Sequence, residues 1–221
     1  MKVKGIIDSM NFSSKNIEQI FYNDNYIIED VKSQVSFNPK RWRDEFKKAL
    51  TKNIIEAKII HTSNGLTLPI KTYSVSKQKQ TLEFAGLNGY TQTSSLLKQL
   101  LKSLLEQLED SYIVRIDIAI DFNKIPNKVI KALCKHRVPF KYANTTYYKT
   151  IKEKKTNSNM DIKTYYKSKK AKLDYPLERL EFAFKGQYFN KTNLKDLKKI
   201  FKKMEKSIKK FSDLQVEISS I

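Results

Sequence analysis

Three segments in the second half of the chain alternate between apolar and charged or polar residues, the pattern of half-buried β-strands. They read RIDIAID from residue 115, IKTYYKS from residue 162 and RLEFAF from residue 179. Because side chains two apart on a strand share a face, each segment divides into a core face and a polar face. The polar faces carry the residues that could do chemistry, which are Arg115, Asp117, Asp121, Lys163, Tyr165, Lys167, Arg179 and Glu181.

Three carboxylates and a phenol are the reactive groups on these faces. If the three strands are neighbours in one sheet, Asp117, Asp121 and Glu181 converge beside Tyr165. Carboxylates gathered in this way repel and raise one another's pKa, and a divalent cation would relieve the repulsion. Mg²⁺ or Mn²⁺ bound there would attract a phosphodiester and polarise it, and a neighbouring tyrosine could act as the nucleophile. The pattern therefore predicts a metal-assisted attack on a phosphodiester.

A purely structural interpretation of the same charges stays open. Asp117 and Glu181 could form ion pairs with Arg115 and Arg179 across neighbouring strands, as sheet residues often do. The charges would then stabilise the sheet and hold no metal. The positions of these four side chains in the fold distinguish the two interpretations.

The strands that carry these residues recur in the first half of the chain. IKTYYKSK at 162–169 corresponds to IKTYSVSK at 70–77, and RLEFAF at 179–184 corresponds to TLEFA at 81–85. GIIDSMNF at 5–12 also matches VRIDIAIDF at 114–122, with Asp8 opposite Asp117. Three matches in the same order indicate a duplication. We predict a single duplicated domain over 1–221, with 1–110 as scaffold and the more charged 111–221 as the catalytic half.

Periodicity and turn residues predict an α+β fold in which strands outnumber helices. The predicted extended segments are 2–12, 27–37, 57–61, 66–75, 80–85, 112–122, 145–152, 161–167 and 176–185. Helices are predicted over 16–21 with Ser13 and Ser14 as candidate caps, from Pro39 with Trp42 as a core anchor, over 93–109, from Pro126, and over 193–211. We expect one curved antiparallel sheet that is polar and basic on its open face and covered by helices on the other.

The overall charge narrows the classes of partner. Lys and Arg number 43 against 23 Asp and Glu, a net charge of +20, which favours a polyanion, with nucleic acid ahead of an anionic membrane surface. No apolar run is long enough to span a bilayer. The single cysteine, Cys134, forms no internal disulfide and fits a reducing cytoplasm. Zinc chemistry is disfavoured because the chain has neither CxxC nor HExxH and only two distant histidines.

Two further features could contact nucleic acid. The last predicted helix has a lysine ridge that includes Lys198 and Lys202, which suits phosphates but equally suits a solvated face. Tyr147 and Tyr148 could stack on unpaired bases, although strand tyrosines more often pack across strands.

The order of the motifs resembles the replication initiation factor family, the trans-acting initiators of rolling-circle plasmid replication. RIDIAIDF, then TTYYKTIKEKKTNSNMDIKTYYKSKKA, then RLEFAFKGQYF follow the family's R-[IL]-D-x-A-x-D-F, T-x-Y-F-G, I-R-I-Y-[DN]-K and W-R-[VF]-E-[IL]-E-L strands. The opening IDSMNF also looks like the family's first strand, so the resemblance runs through nearly the whole chain.

The resemblance implies a role for individual residues. The nicking tyrosine falls on Tyr165 and the motif lysine on Lys167, while Tyr166 replaces the usual Asp or Asn and is an alternative nucleophile. The metal-binding acids fall on Asp117 and Glu181, with Asp121 as a third. Lys167, Arg115 and Arg179 would neutralise the scissile or flanking phosphates. Lys163 and Lys149 are further DNA contacts, and Lys149 stands where the family has a Gly-Ser type turn. The implied fold is a saddle related to the TATA-binding architecture.

We therefore expect a cytoplasmic plasmid or phage replication initiator that uses Mg²⁺ or Mn²⁺ to nick origin DNA and remains on the 5′ phosphate. The implied partners are origin DNA, both double-stranded and extruded single-stranded, and a second copy of the chain. A host helicase is a further implied partner, and no membrane is expected. Two alternatives are a conjugative relaxase of the same family, with the same chemistry, and a non-catalytic DNA-binding protein of the same fold.

Overall fold

The computed structural model describes residues 1–31, 54–73, 79–150 and 159–219. In these residues eleven strands form one sheet. The strands are β1 (Lys2–Ser14), β2 (Tyr26–Asp30), β3 (Ile54–Thr62), β4 (Thr67–Tyr73), β5 (Gln80–Ala85), β6 (Tyr112–Phe122), β7 (Arg137–Tyr142), β8 (Thr145–Thr150), β9 (Met160–Tyr166), β10 (Glu178–Lys185) and β11 (Gln215–Ile218).

The strands of the two halves are arranged in the same order from the centre of the sheet outward. The order is β2-β3-β4-β5-β1-β6-β10-β9-β8-β7. β1 and β6 lie at the centre, and each is followed by four strands from its own half. These neighbours are antiparallel, and β11 pairs with β1 in parallel. The two halves share this order, while the single duplicated domain with its catalytic second half stays a prediction.

Four α-helices are described, and the apolar residues of the three longer ones join the core on one face of the sheet. They are α1 (Gln92–Leu104), α2 (Asn127–His136), α3 (Lys167–Ala171) and α4 (Leu197–Ser212), with short 3-10 turns at Ile17–Phe21, Gly186–Phe189 and Leu194–Asp196. None of these helices is long and apolar enough to cross a membrane. The predicted α+β class, with an antiparallel sheet and helices on one face, is confirmed.

Alternation along the central strands produces the core. Ile116, Ile118 and Ile120 of β6 are buried next to Leu180 and Phe182 of β10. The leucine stripe of α1 and the apolar residues of α4, including Met204 and Ile208, bury against the same side. Burial of a large apolar side chain stabilises the fold by about 1.5–3 kcal/mol, so this layer fixes which face of each strand remains polar.

Several predicted boundaries differ from the structure. Ser13 and Ser14 belong to β1 and do not cap a helix, since the 3-10 turn at Ile17–Phe21 follows Asn16. The strand predicted to end at Lys167 ends at Tyr166, and Lys167 begins α3. β7 and β11 were not predicted. The helix predicted from Pro39, with Trp42, lies outside the described residues.

Candidate functional site

The polar residues of β6, β9 and β10 meet on the face of the sheet opposite the core, which we call the polar face. β10 lies between the other two strands. Arg179 is opposite Tyr165 on one side and Asp121 on the other, and Glu181 is opposite Lys163. The predicted adjacency of the three strands is therefore present.

The phenol of Tyr165 is held by the carboxylate of Glu181. Tyr165 Oη donates a hydrogen bond to Glu181 Oε2 over 3.0 Å, and Lys163 Nζ lies 2.7 Å from Glu181 Oε1. Tyr165 itself is half-buried. Burial, and then the negative charge of Glu181, raise the pKa of the Tyr165 phenol well above its usual range. At neutral pH the phenol is therefore protonated and needs a base if it is to act as a nucleophile.

Asp117 is paired within its own strand. Arg115 Nε and Nη2 donate to the two oxygens of Asp117, each over 2.8 Å, in a bidentate pair. Burial raises the pKa of Asp117, the Arg115 guanidinium opposes that shift, and nearby Glu181 adds to it. Asp117 and Glu181 are thus close enough to influence each other, although each is paired with a cation.

Arg179 is at the centre of a buried ion network. Its Nε and Nη2 donate to Asp121 over 2.7 and 2.8 Å, its Nη1 donates to Asp8 over 2.8 Å, and Nη2 also reaches the backbone oxygen of Asn88 over 3.0 Å. Tyr90 Oη donates to Asp121 over 2.5 Å, and the Tyr90 ring lies 5.7 Å from the guanidinium carbon. The predicted contact of Arg179 with a phosphate is wrong, because the residue is 0% exposed and its donors are engaged.

No role was predicted for Asp8, Asn88 or Tyr90. Asp8 lies at a bulge of β1, between the stretch that pairs with β11 and the stretch that pairs with β5. The bulge interrupts the alternation and allows Asp8 to reach Arg179, a residue 171 positions away. Its match to Asp117 in the internal repeat was the one signal that could have identified it.

Tyr166 and Lys167 lie away from the Tyr165 hydroxyl contacts. Tyr166 is 58% exposed and, by alternation along β9, faces away from Glu181. Lys167 is buried at the start of α3, and burial followed by the nearby Arg179 charge lowers the pKa of its ammonium group. No hydrogen bond of its Nζ is found within the described residues. The predicted contact of Lys167 with a phosphate therefore conflicts with its burial.

Two of the three predicted metal ligands are neighbours on the polar face. Asp117 and Glu181 are diagonal neighbours on β6 and β10, a relation that places residues about 7–8 Å apart. Asp121 is instead committed to Arg179 and Tyr90. Within the described ranges, no group of three His, Cys, Asp or Glu side chains could hold a metal ion. A site of two carboxylates completed by water and phosphate oxygens fits the usual Mg²⁺ environment.

The first copy of the repeat preserves only part of the arrangement. Lys71 Nζ lies 2.8 Å from Glu83 in β4 and β5, as Lys163 does from Glu181. However, Lys71 is opposite Thr81, whereas Lys163 is directly opposite Glu181, so the register differs by two residues. No hydrogen bond joins Tyr73 to Glu83 in the part of the chain described. The second copy alone therefore brings a phenol to its carboxylate.

The remaining predicted DNA contacts lie on exposed surfaces. Lys198 and Lys202 are exposed on α4, on the helix-covered side of the sheet. Lys149 is exposed on β8, and its Nζ lies 3.9 Å from the centre of the Phe140 ring. Lys163 is partly exposed beside Tyr165. Only Lys163 is in the immediate site, and the helix lysines belong to a different surface.

Comparisons with known proteins find a distant structural likeness. No protein-family model matches the chain, and no curated protein is significantly similar to it. Among solved structures, the chain is similar to the rolling circle replication initiator protein from Geobacillus stearothermophilus, with 12% sequence identity and a TM-score of 0.45 over 84% of this chain and 75% of that chain. A likeness this low assigns no function to the chain.

Proposed function

We propose that the chain is a replication initiator that nicks one strand of origin DNA through Tyr165 and starts rolling-circle replication of a plasmid or phage. The proposal is supported by the ordered motifs that resemble the replication initiation factor family and by the net charge of +20. Origin DNA, a second copy of the chain and a host helicase are its proposed partners.

The hydrogen bond between Tyr165 and Glu181 carries the proposal. A tyrosine that merely packs across strands has no need of a buried carboxylate at its hydroxyl. Here the phenol is half-buried, donates to Glu181 over 3.0 Å, and lies beside the partly exposed cation Lys163. A nucleophile, a base and a phosphate-attracting cation are therefore within contact of one another on the polar face.

The reaction is a transesterification that needs no co-reactant. The Tyr165 oxygen bonds to the phosphorus as the phenol proton passes to Glu181, and the bond from phosphorus to the 3′ oxygen breaks. That oxygen takes up a proton and leaves as a free 3′-hydroxyl, while the 5′ phosphate stays on the tyrosine. Lys163 offsets the charge that develops on the phosphate oxygens.

Asp117 and Glu181 are the residues that would hold Mg²⁺ or Mn²⁺, which would attract the phosphodiester and polarise it. Their present cations, Arg115 and Lys163, would then be free to contact phosphate.

A covalent adduct tests the proposal. The wild-type chain is incubated with Mn²⁺ and single-stranded oligonucleotides that tile the replicon encoding it, each labelled at either end. On a denaturing gel, the 3′-labelled fragment should remain with the protein and the 5′-labelled fragment should be released. Tyr165→Phe should lose the adduct, because it lacks the nucleophilic oxygen, whereas the matched control Tyr166→Phe should keep it.

The result that contradicts the proposal is an adduct that survives in Tyr165→Phe. If Tyr166→Phe loses the adduct and Tyr165→Phe keeps it, the nucleophile is Tyr166. Glu181 is then not the base for the nucleophile, because it contacts Tyr165. EDTA should abolish the adduct and leave DNA binding intact.

A non-catalytic DNA-binding protein is the second candidate, favoured by the pairing of Asp117 with Arg115, Asp121 with Arg179 and Glu181 with Lys163. In that case the carboxylates stabilise the sheet. DNA binding that is insensitive to EDTA, with no adduct on any oligonucleotide, would support it.

A further inference from the structure

Four large apolar side chains are exposed on one face of the hairpin formed by β7 and β8. Val138, Phe140 and Tyr142 alternate along β7, and Phe140 is directly opposite Tyr147 of β8. Phe140 is 46%, Tyr142 68% and Tyr147 36% exposed. Tyr148, the next residue along β8, points to the other side and is buried in the core. We call the exposed side of the hairpin, with Phe140, Tyr142 and Tyr147, the aromatic face.

The aromatic face continues the polar face without a break. Tyr147 is opposite Lys163 and Thr145 is opposite Tyr165, so the side chains of the hairpin and of β9 belong to the same side of the sheet. Tyr142 is opposite Thr145 and is therefore two strands from Tyr165. Strand spacing makes that separation about 10 Å. A DNA strand at Tyr165 would thus pass over these rings within one or two nucleotides.

The charge of the hairpin indicates which class of ligand could bind to the aromatic face. The segment 137–150 contains no acidic residue. Of its basic residues, Lys149 lies on the aromatic face, whereas Arg137 is buried and Lys141 alternates to the other side of β7. Lys149 Nζ lies 3.9 Å from the centre of the Phe140 ring, so a cation and an aromatic surface are presented together. Exposed aromatic rings interleaved with lysines are the elements with which proteins bind single strands, because every base can stack and every phosphate is attracted.

In the described part of the chain, β7 has no partner strand on its outer edge, and Pro139 opposes pairing of that edge with a second chain. Proline has no backbone N–H and interrupts the ladder that a second strand would need. An exposed apolar patch on a chain this basic still needs a partner. Unpaired bases supply both the flat apolar surface and the negative charge.

We propose that the aromatic face is a stacking platform for unpaired bases next to the phosphate attacked at Tyr165. This inference rests on the proposed function. Phe140, Tyr142 and Tyr147 contribute base stacking, and Lys149 and Lys163 contact the adjoining phosphates. The platform holds the strand in its unpaired form beside the nucleophile without reading its sequence.

Binding to oligonucleotides with and without bases tests the platform. In a Tyr165→Phe background, which prevents cleavage, anisotropy of a dye-labelled oligothymidylate is compared with that of an abasic strand of equal length. The protein should bind the oligothymidylate more tightly, and each of Phe140→Ala, Tyr142→Ala and Tyr147→Ala should weaken that binding by roughly 5- to 150-fold. The abasic strand should bind all of them equally.

Matched controls separate stacking from other effects. Tyr22→Ala removes an exposed ring elsewhere and should bind both strands like the parent protein, and Tyr142→Phe and Tyr147→Phe should retain binding because stacking does not need the hydroxyl. Circular dichroism checks that each variant is folded.

A triple variant combines Phe140→Ala, Tyr142→Ala and Tyr147→Ala. The proposal is overturned if this variant still binds the oligothymidylate more tightly than the abasic strand. It is also overturned if the triple variant changes only the sedimentation of the protein, which would make the face a protein interface. Loss of base preference in the triple variant, with no wild-type adduct, would uphold the platform and remove the nicking function. If the wild-type protein forms the adduct but shows no preference for the oligothymidylate over the abasic strand, the nicking function is upheld and the platform is removed.

Discussion

Replacing Arg179 with methionine should destabilise the fold by about 3–5 kcal/mol, because it leaves two buried carboxylates without their cation. The guanidinium has no exposed surface and donates one hydrogen bond to Asp8 and two to Asp121. The side chains of these acids are only 11% and 12% exposed, so water replaces the lost partner poorly. Methionine fills most of the vacated volume, which leaves the unpaired charges as the main cost.

Urea unfolding followed by circular dichroism measures the loss. With an m-value of about 2 kcal/mol per molar urea, the midpoint should fall by about 2 M at neutral pH. Lys185→Met is the matched control. It breaks the ion pair between Lys185 and Asp161, whose side chains are 40% and 48% exposed, respectively. The free energy of unfolding should therefore fall by less than about 1 kcal/mol.

Neutralising both acids separates charge from packing. Arg179→Met combined with Asp8→Asn and Asp121→Asn contains no orphaned carboxylate and should recover most of the lost stability. A triple variant that is no more stable than Arg179→Met would show that the orphaned carboxylates are not the main cost. The same follows if Arg179→Met loses no more stability than Lys185→Met.

Two further predictions concern the same sheet. A Cβ added at Gly5 would lie 2.7 Å from Val216 Cγ1 and 3.1 Å from Ile118 Cγ2, so Gly5→Ala should cost about 1–3 kcal/mol, and an unchanged urea midpoint would contradict this. Burial and the hydrogen bond to Asp121 raise the pKa of Tyr90 to about 12. The difference between the absorbance titrations of the wild type and Tyr90→Phe should show a transition at that pKa, and Asp121→Asn should lower the pKa of Tyr90. The free energy of unfolding should fall above pH 10, because the phenol ionises in the unfolded state before it ionises in the folded state. A difference transition already near pH 10 in the wild type would contradict the Tyr90 assignment.

Local periodicity was sufficient to predict the central elements. β6 has the predicted bounds, and Ile116, Ile118 and Ile120 are buried as their alternation indicates. The leucine stripe of α1 likewise predicted its buried side. Both inferences depend only on the side-chain period of a strand or a helix, and that period can be read directly from the order of the residues.

The hairpin strand β7 was not predictable in the same way. Its residues follow α2 directly and include Pro139, a residue that argues against a strand in the interior of a sheet. The strand exists because β7 occupies the edge and its other side pairs with β8. Pro139 is compatible with an edge strand, but the position of β7 at the edge is a property of the whole sheet.

Alternation along each strand is enough to assign the residues of β6, β9 and β10 that face away from the core, and Asp117, Tyr165 and Glu181 are among them. That the three strands are neighbours, and which ions pair on them, depends on the folded chain. Glu181 is paired with Lys163 and not with Arg179, while Arg179 is buried between Asp121 and Asp8. Ion pairing depends on strand register and on the burial of groups far apart in the chain, and alternation along a single strand specifies neither.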